Sequence, residues 1–497
     1  MWRHQLTLTL VILLSACGVS ASGYHFRYTP ACAEAYRNFL ALRSDEGHAA
    51  LERAFREDPA NLLAVYIEDY DDFFLLLLNG DPADLQARKD RLDARIRLLD
   101  SGDPRDPYYR LCKSGIYLHW AVIHGRFGDY FRAAFLFRKS YLLIRENRKL
   151  FPDFAPNNVF YGLVEAIVGT IPEDYKWLAA MMGVRDGHVN RGIGRILSYI
   201  NSSPSRDAFL RAEAVVTWCY LKFYLQSQKE IVWKYINSNQ FPTRDNLLHA
   251  LVKANLALNY RKAEAAQQTL LEAQPLPGYG NFPVIDYELG TALYLQLDHN
   301  CISYLRRYIS QYKGKLYIKD AWQKVALSWY LQGQEEKAVY SREQILRSGN
   351  KLADSDRQAQ RFAEGKNWPH PGLLKAQLLC DGGNYHKALE TLQTLDKMGS
   401  AMKVDSTEYH FRLGRIYEEL GEESLALTHY RHTINTGRNR KEHFAARAAL
   451  QMGVIYEHQG NKKEAAAHFR ECLSMRGHDF QSVIDQQARA GLNRIGQ

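Results

Sequence analysis

The stretch Ala449–Cys472 places Gly453, Tyr456, Gly460, Ala465 and Phe469 at spacings of 3, 4, 5 and 4, and the stretch before it repeats the set as Gly414, Tyr417, Gly421, Ala426 and Tyr430. Self-similarity at a fixed period constrains a fold more than any local signal. A unit of this size cannot bury its own apolar face and must stack on a copy of itself. In such a unit the small residues let two helices approach closely, the aromatics fill the gap between units, and the central glycine turns the chain. Weaker copies share the frame at Ala376, Leu379, Gly383, Ala388 and Leu392, and at Trp322, Ala326, Trp329, Gly333 and Ala338. The run NYRKAEAAQQTL around Ala263 matches NYHKALETLQTL around Ala388, and Gly128, Ala133 and Phe137 extend the pattern toward the start. Alternating strand-like runs are scarce and helical periodicity dominates.

This pattern resembles the tetratricopeptide repeat, a helix–turn–helix of roughly 34 residues. The resemblance implies an all-α chain, a tetratricopeptide-repeat-like helical-hairpin solenoid. Residues 35–150 are expected to form N-terminal helical repeats, 201–310 degenerate repeats, and 311–497 C-terminal tetratricopeptide repeats. Between them, 151–200 is a non-repeat apolar helical segment. Its run Val159–Ile171 is apolar nearly all round, which predicts a helix buried on every side, and Gly183, Gly187, Gly192 and Gly194 mark turns or close packing. The stretch reads FPDFAPN and then GTIPEDYKW. In this it resembles uncharacterised Bacteroidetes-type tetratricopeptide-repeat lipoproteins.

The first residues, MWRHQLTLTLVILLSAC, carry a positive Arg3, an apolar Leu6–Leu14 and then small side chains, the pattern of a secretory signal. Nine apolar residues are too few to span a bilayer, which takes about 20. Leu14-Ser15-Ala16-Cys17 resembles the bacterial lipobox, which implies a signal peptide over 1–16, acylation of Cys17, and a lipid-anchored tether over 17–34. Acyl chains of this kind anchor stably. An ordinary signal cut after Val19-Ser20-Ala21 is the other reading, leaving a soluble periplasmic or secreted chain. No acidic residue follows Cys17 closely, which, by analogy with known sorting signals, favours a protein facing the periplasm from the outer membrane over one displayed outside. The net charge of +9 would suit an acidic surface, but an exported chain rarely meets nucleic acid, and no such partner is expected. The other six cysteines sit singly in helical segments and read as buried small hydrophobes.

Catalytic patterns are missing: there is no phosphate-binding loop, no H-E-x-x-H and no nucleophile elbow. No catalytic residue, cofactor or metal site is therefore expected. The acidic run Glu68, Asp69, Asp71, Asp72 reads as a solvated helix face, since a divalent ion needs more converging oxygens. Glu165 lies inside VFYGLVEAIVGTI, where a lone charge is costly. Three roles fit it: an ion pair with Lys176 or Arg191, a contact to a ligand, or simple exposure. With Phe154, Tyr161 and Trp177 it would line a pocket for a small or lipidic ligand.

Arrays of this family bind partners along the inner face formed by each first helix. Counted from the repeat frame, the inward positions are Tyr287 and Tyr294, then Gln323 and Tyr330, then Phe411, Arg415 and Glu418, then Glu457. Tyrosine offers wide contact with a hydrogen-bonding tip, which suits a peptide or helix ligand. These side chains could equally serve to pack neighbouring helices. The leading expectation is a non-enzymatic, membrane-anchored scaffold that binds a protein partner in the cell envelope. The pattern leaves the oligomeric state open.

Overall fold

A computed structural model describes residues 23–497, apart from 172, 182, 186, 204, 206, 207, 366 and 398–403. Every regular element among the described residues is helical, with one isolated bridge between His25 and Asn61. The chain divides into two compact units. One runs up to Lys253 and takes in Glu272–Ile285 and Gln311–Leu316. The other comprises Ala254–Leu271, Asp286–Ser310 and Tyr317–Gln497. These limits cut across the expected segments 201–310 and 311–497.

Local chemistry starts and stops the helices where the repeat frame needs them. Thr29, Asn61, Asp106 and Asp405 each accept a backbone N–H at a helix start, which satisfies donors that have no partner within the helix. Within the C-terminal hairpins the turn falls on the glycine that the frame marks. Gly421 and Gly460 have φ of 79° and 75°, a left-handed conformation that a side chain would strain. The result is a run of antiparallel pairs: Pro371–Gly382 with Tyr385–Lys397, Ser406–Glu419 with Glu423–Gly437, and Phe444–His458 with Lys462–Ser474. Gln481–Arg494 then closes the array. One core of alanines with Phe411, Tyr430 and Phe469 runs through the last of these.

In the other unit, the helices Asn157–Val168 and Val189–Ser202 form the heart of the non-repeat segment. They approach so closely that a Cβ on Gly192 would stand 2.3 Å from the Gly162 carbonyl oxygen. Gly194 has open space around it, contrary to its expected packing role. The first of these helices has no exposed position, but Tyr161, Leu163 and Ile167 are only half-buried. Burial on every side is thus an overstatement.

The tether expected over 17–34 also needs correction at its C-terminal end. His25 Nε2 pairs with Asp58 at 2.8 Å, the Leu62 N–H donates to the His25 carbonyl, and Cys32 is fully buried in the helix Pro30–Leu40. Residues from His25 onward are part of the packed unit. Cys17 and the signal 1–16 lie outside the described residues. Cys32, Cys112, Cys219, Cys301, Cys380 and Cys472 are all buried free thiols.

Candidate functional site

The expected inner face of the C-terminal unit is taken up largely by bonds from one repeat to the next. Tyr287 donates to Asp320 at 2.6 Å, 33 residues on. Arg415 donates to Asp381 at 3.1 Å, 34 residues back. Glu418 accepts from Gln451 at 3.1 Å, 33 residues on, and Glu457 from Arg494 at 2.7 Å, 37 residues on. Asn255 bonds to Glu288 at 2.9 Å, again 33 residues apart, where the sequence copy is degenerate. Bonds spaced by about one repeat are what stacked hairpins produce, because equivalent positions on successive first helices face each other.

Three of the expected anchors are core residues. Tyr287 and Tyr294 are buried, and Phe411 packs on Tyr430 and Phe444. Their assignment to an open binding face is therefore corrected: Tyr308 and Tyr430 from their own hairpins cover Tyr287 and Phe411, with Phe444 of the next repeat on Phe411, and Tyr294 is buried. Gln323 and Tyr330 stay half-buried, with the Tyr330 hydroxyl on the Pro369 carbonyl at 3.0 Å and its ring stacked on Trp368.

Open aromatic surface lies on the same unit but elsewhere. Trp322, Trp329, Tyr340, Lys337 and Arg306 line a groove of about 450 Å³. Tyr340 is 58% exposed, Trp322 meets it edge-on, and the Lys337 ammonium sits 4.5 Å above the Trp329 ring. Large rings beside a cation are the composition of binding hot spots.

The four residues expected to line a pocket around 154–191 differ widely in environment. Glu165 is buried and held by two guanidiniums, Arg191 and Arg195, the latter at 2.7 Å. Tyr161 lies between Arg148 and Arg195, at 4.5 and 5.4 Å from its ring centre. Phe154 packs edge-on against Tyr108, and Trp177 points out, 63% exposed. The ion-pair reading of Glu165 holds, with Arg195 as the partner that was not anticipated.

A cavity of about 910 Å³ lies instead among the helices Pro30–Leu40, Val189–Ser202 and Arg211–Leu225 and the segment leading to His249. That is within the usual range for ligand sites. Arg43 and Arg211 stand at its wall, donating to the Asp245 and Ile200 carbonyls at 2.6 and 2.8 Å. The Trp218 indole N–H there is buried without a hydrogen-bond partner, an arrangement that costs stability unless something accepts from it.

Behind the Tyr36 wall of this cavity runs a buried charge network. The Tyr70 ring meets Tyr36 edge-on, and its hydroxyl joins Tyr66 at 2.8 Å and the Glu213 carboxylate. His119 Nδ1 bonds Asp69 at 2.9 Å, and its Nε2 lies 3.6 Å from Glu213. Asp69 also accepts from Trp120 and from Arg95, and Arg95 reaches Asp72 at 2.7 Å. Arg88 and Arg91 complete the set on Asp72. The acidic run is therefore no solvated face: Asp69 and Asp72 are fully buried and paired with arginines. Among the described residues, no group of three or more His, Cys, Asp or Glu side chains is placed to hold a metal ion.

Burial opposes a charged His119 ring, but the carboxylates of Asp69 and Glu213 outweigh it and push its pKa up to about 9. His119 thus contributes stability that is complete below its unfolded value of about 6.5 and lost as pH rises through about 9, on the order of 3 kcal/mol. Chemical denaturation midpoints should fall between these limits in the native chain. With His119→Gln that decline should flatten. An equal slope in both proteins would show that His119 is uncharged in the fold.

A family model described as tetratricopeptide repeat matches residues 446–479. No curated protein matches the chain by sequence. Among solved structures, the chain is similar to one in the crystal structure of the APC/C hetero-tetramer Cut9-Hcn1. The identity is 13%, covering 98% of this chain and 99% of that one, with a TM-score of 0.26.

Proposed function

We propose that this chain is a non-enzymatic helical-repeat scaffold that holds a protein partner in the bacterial cell envelope. Acyl chains on Cys17 anchor it to the outer membrane, facing the periplasm. The repeat match at 446–479 and the period-spaced ladder support the scaffold part of this reading. The lipobox-like Leu14–Cys17 supports the anchor. The observation that carries the binding role is the groove of Trp322, Trp329 and Tyr340 beside Lys337 and Arg306. With Glu336 also in its lining, it suits a partner segment with an apolar anchor and flanks of mixed charge.

A photocrosslinking residue at Tyr340 should capture one defined envelope protein, and Trp322→Ala should weaken that capture by about 2 kcal/mol or more, roughly thirtyfold. Palmitate labelling should be present in the native chain and absent in Cys17→Ala, which should leave the membrane fraction. Crosslinks indifferent to Trp322→Ala would remove the groove from the reading, and an unlabelled native chain would remove the anchor. A second role, binding a small or lipidic ligand, draws support from the 910 Å³ cavity and its partnerless Trp218 N–H rather than from residues 154–191.

A further inference from the structure

The helix Tyr130–Leu150 turns an unusual face to solvent. Phe131 is 94% exposed, and Tyr130 and Phe135 are exposed beside it, although large apolar side chains are normally drawn inward. The helix Glu173–Met181 adds Tyr175, Trp177 and Met181, each more than half exposed. The turn after the second helix is tied to the C-terminal half of the first. Arg145 donates to the Gly183 carbonyl at 3.2 Å, and the Tyr141 hydroxyl accepts the Arg185 N–H at 3.1 Å. A Cβ on Gly183 would touch Leu142 at 3.6 Å. The turn that ends the second helix is thus fastened along the first.

Charge on the first helix is one-sided. There Arg132, Arg138, Lys139, Arg145, Arg148 and Lys149 stand against Glu146, while the second carries Glu173 and Asp174 with Lys176, which lies exposed between Tyr175 and Trp177. The Lys139 ammonium sits 4.8 Å over the Phe135 ring, at the margin of the aromatic patch. Exposed phenylalanine, tyrosine and tryptophan rings among lysines and arginines are the chemistry of a helix lying at a membrane interface. No helix among the described residues is long and apolar enough to cross a bilayer, so such contact would be superficial. The rings project outward from a convex helix, and a fluid leaflet can close around them, whereas a folded protein would need matching holes.

We infer that the exposed rings of Phe131, Phe135 and Trp177, carried on these two helices, dock on an anionic phospholipid surface. The rings seat among the headgroups, and the surrounding arginines and lysines pair with lipid phosphates. This contact is independent of the acyl anchor.

The test uses the full chain carrying Cys17→Ser, so that no acyl group contributes. It is sedimented with vesicles of phosphatidylethanolamine and phosphatidylglycerol, and separately with phosphatidylcholine alone. Binding to the anionic vesicles is expected, weakening as salt is raised. Arg132→Gln and Lys149→Gln, both at exposed positions, should each reduce it by roughly fivefold. Phe131→Ser together with Trp177→Ser should reduce it by about a hundredfold, with little change in thermal unfolding because Phe131 is almost wholly in water and Trp177 largely so. Equal sedimentation with both vesicle types, no sedimentation with the anionic ones, or binding indifferent to the double substitution would overturn the inference. So would the loss of a co-purifying protein in that variant with vesicles ignored, which would assign the face to a protein partner. Cys17 is absent throughout, so failure of the anchoring reading leaves this result standing.

Discussion

Arg95→Met is expected to destabilise the N-terminal unit by about 3–5 kcal/mol, the usual penalty for removing one partner of a buried ion pair. Arg95 is almost fully buried and donates to Glu68, Asp69 and Asp72 at 3.1, 2.9 and 2.7 Å. It joins the helix Arg91–Leu99 to three carboxylates on the helix Leu62–Asn79. Methionine fills much of the volume, so the loss reports on charge rather than on a cavity. Without the guanidinium, Asp69 keeps only His119 and Trp120, while Asp72 keeps Arg88 and Arg91 from the more exposed side.

Two controls separate this account from simple misfolding. Burial already pushes the Asp72 carboxyl above its ordinary value, against the pull of Arg95. In Arg95→Met that carboxyl should protonate more readily, and the deficit should shrink as pH is lowered. Adding Asp69→Asn and Asp72→Asn removes the two orphaned carboxylates and should recover part of the stability, because fewer unpaired charges then stay buried. The measurement is urea denaturation followed by tryptophan fluorescence. A loss below about 1 kcal/mol, the scale of a surface pair, would mean that water reaches this cluster.

The network also shows where sequence stops being informative. The repeat frame was legible because it rests on local events: Gly421 and Gly460 turn the chain within a single hairpin, and the alanines of the pattern lie in the hairpin cores. Glu165 was legible in kind, since a carboxylate amid apolar residues demands a cation. Arg191 and Arg195 both supply one, four positions apart on the facing helix. The run Glu68–Asp72 was misread because its arginines come from later helices, 16 to 27 residues on, where no local period points to them.

Tyr287, Tyr294 and Phe411 were placed on an open face for a related reason. Counting inward positions assigns a face from spacing alone, whereas burial is decided jointly by the second helix of the same hairpin and by the next repeat. The 910 Å³ cavity draws its walls from four separated segments, so no single motif could announce it.

Phe469→Ala is expected to cost about 3–5 kcal/mol, the range for emptying a phenylalanine site in a packed core. The ring is fully buried between two glycines on different helices. A Cβ on Gly453 would stand 2.5 Å from its Cδ1, and one on Gly491 2.5 Å from its Cζ. Gly453 was marked by the repeat spacing as a position of close approach, and Phe469 is the side chain that approaches. Gly453→Val should therefore be damaging from the opposite direction, by overpacking the same contact. Each repeat touches only its neighbours, so either change should act locally. Limited proteolysis should first release the end of the chain around Lys462–Ser474 and Gln481–Arg494, while Pro371–Lys397 stays protected. If the whole unit instead becomes sensitive at once, the array unfolds as one cooperative block, and stability in this chain is then shared along the ladder rather than held repeat by repeat.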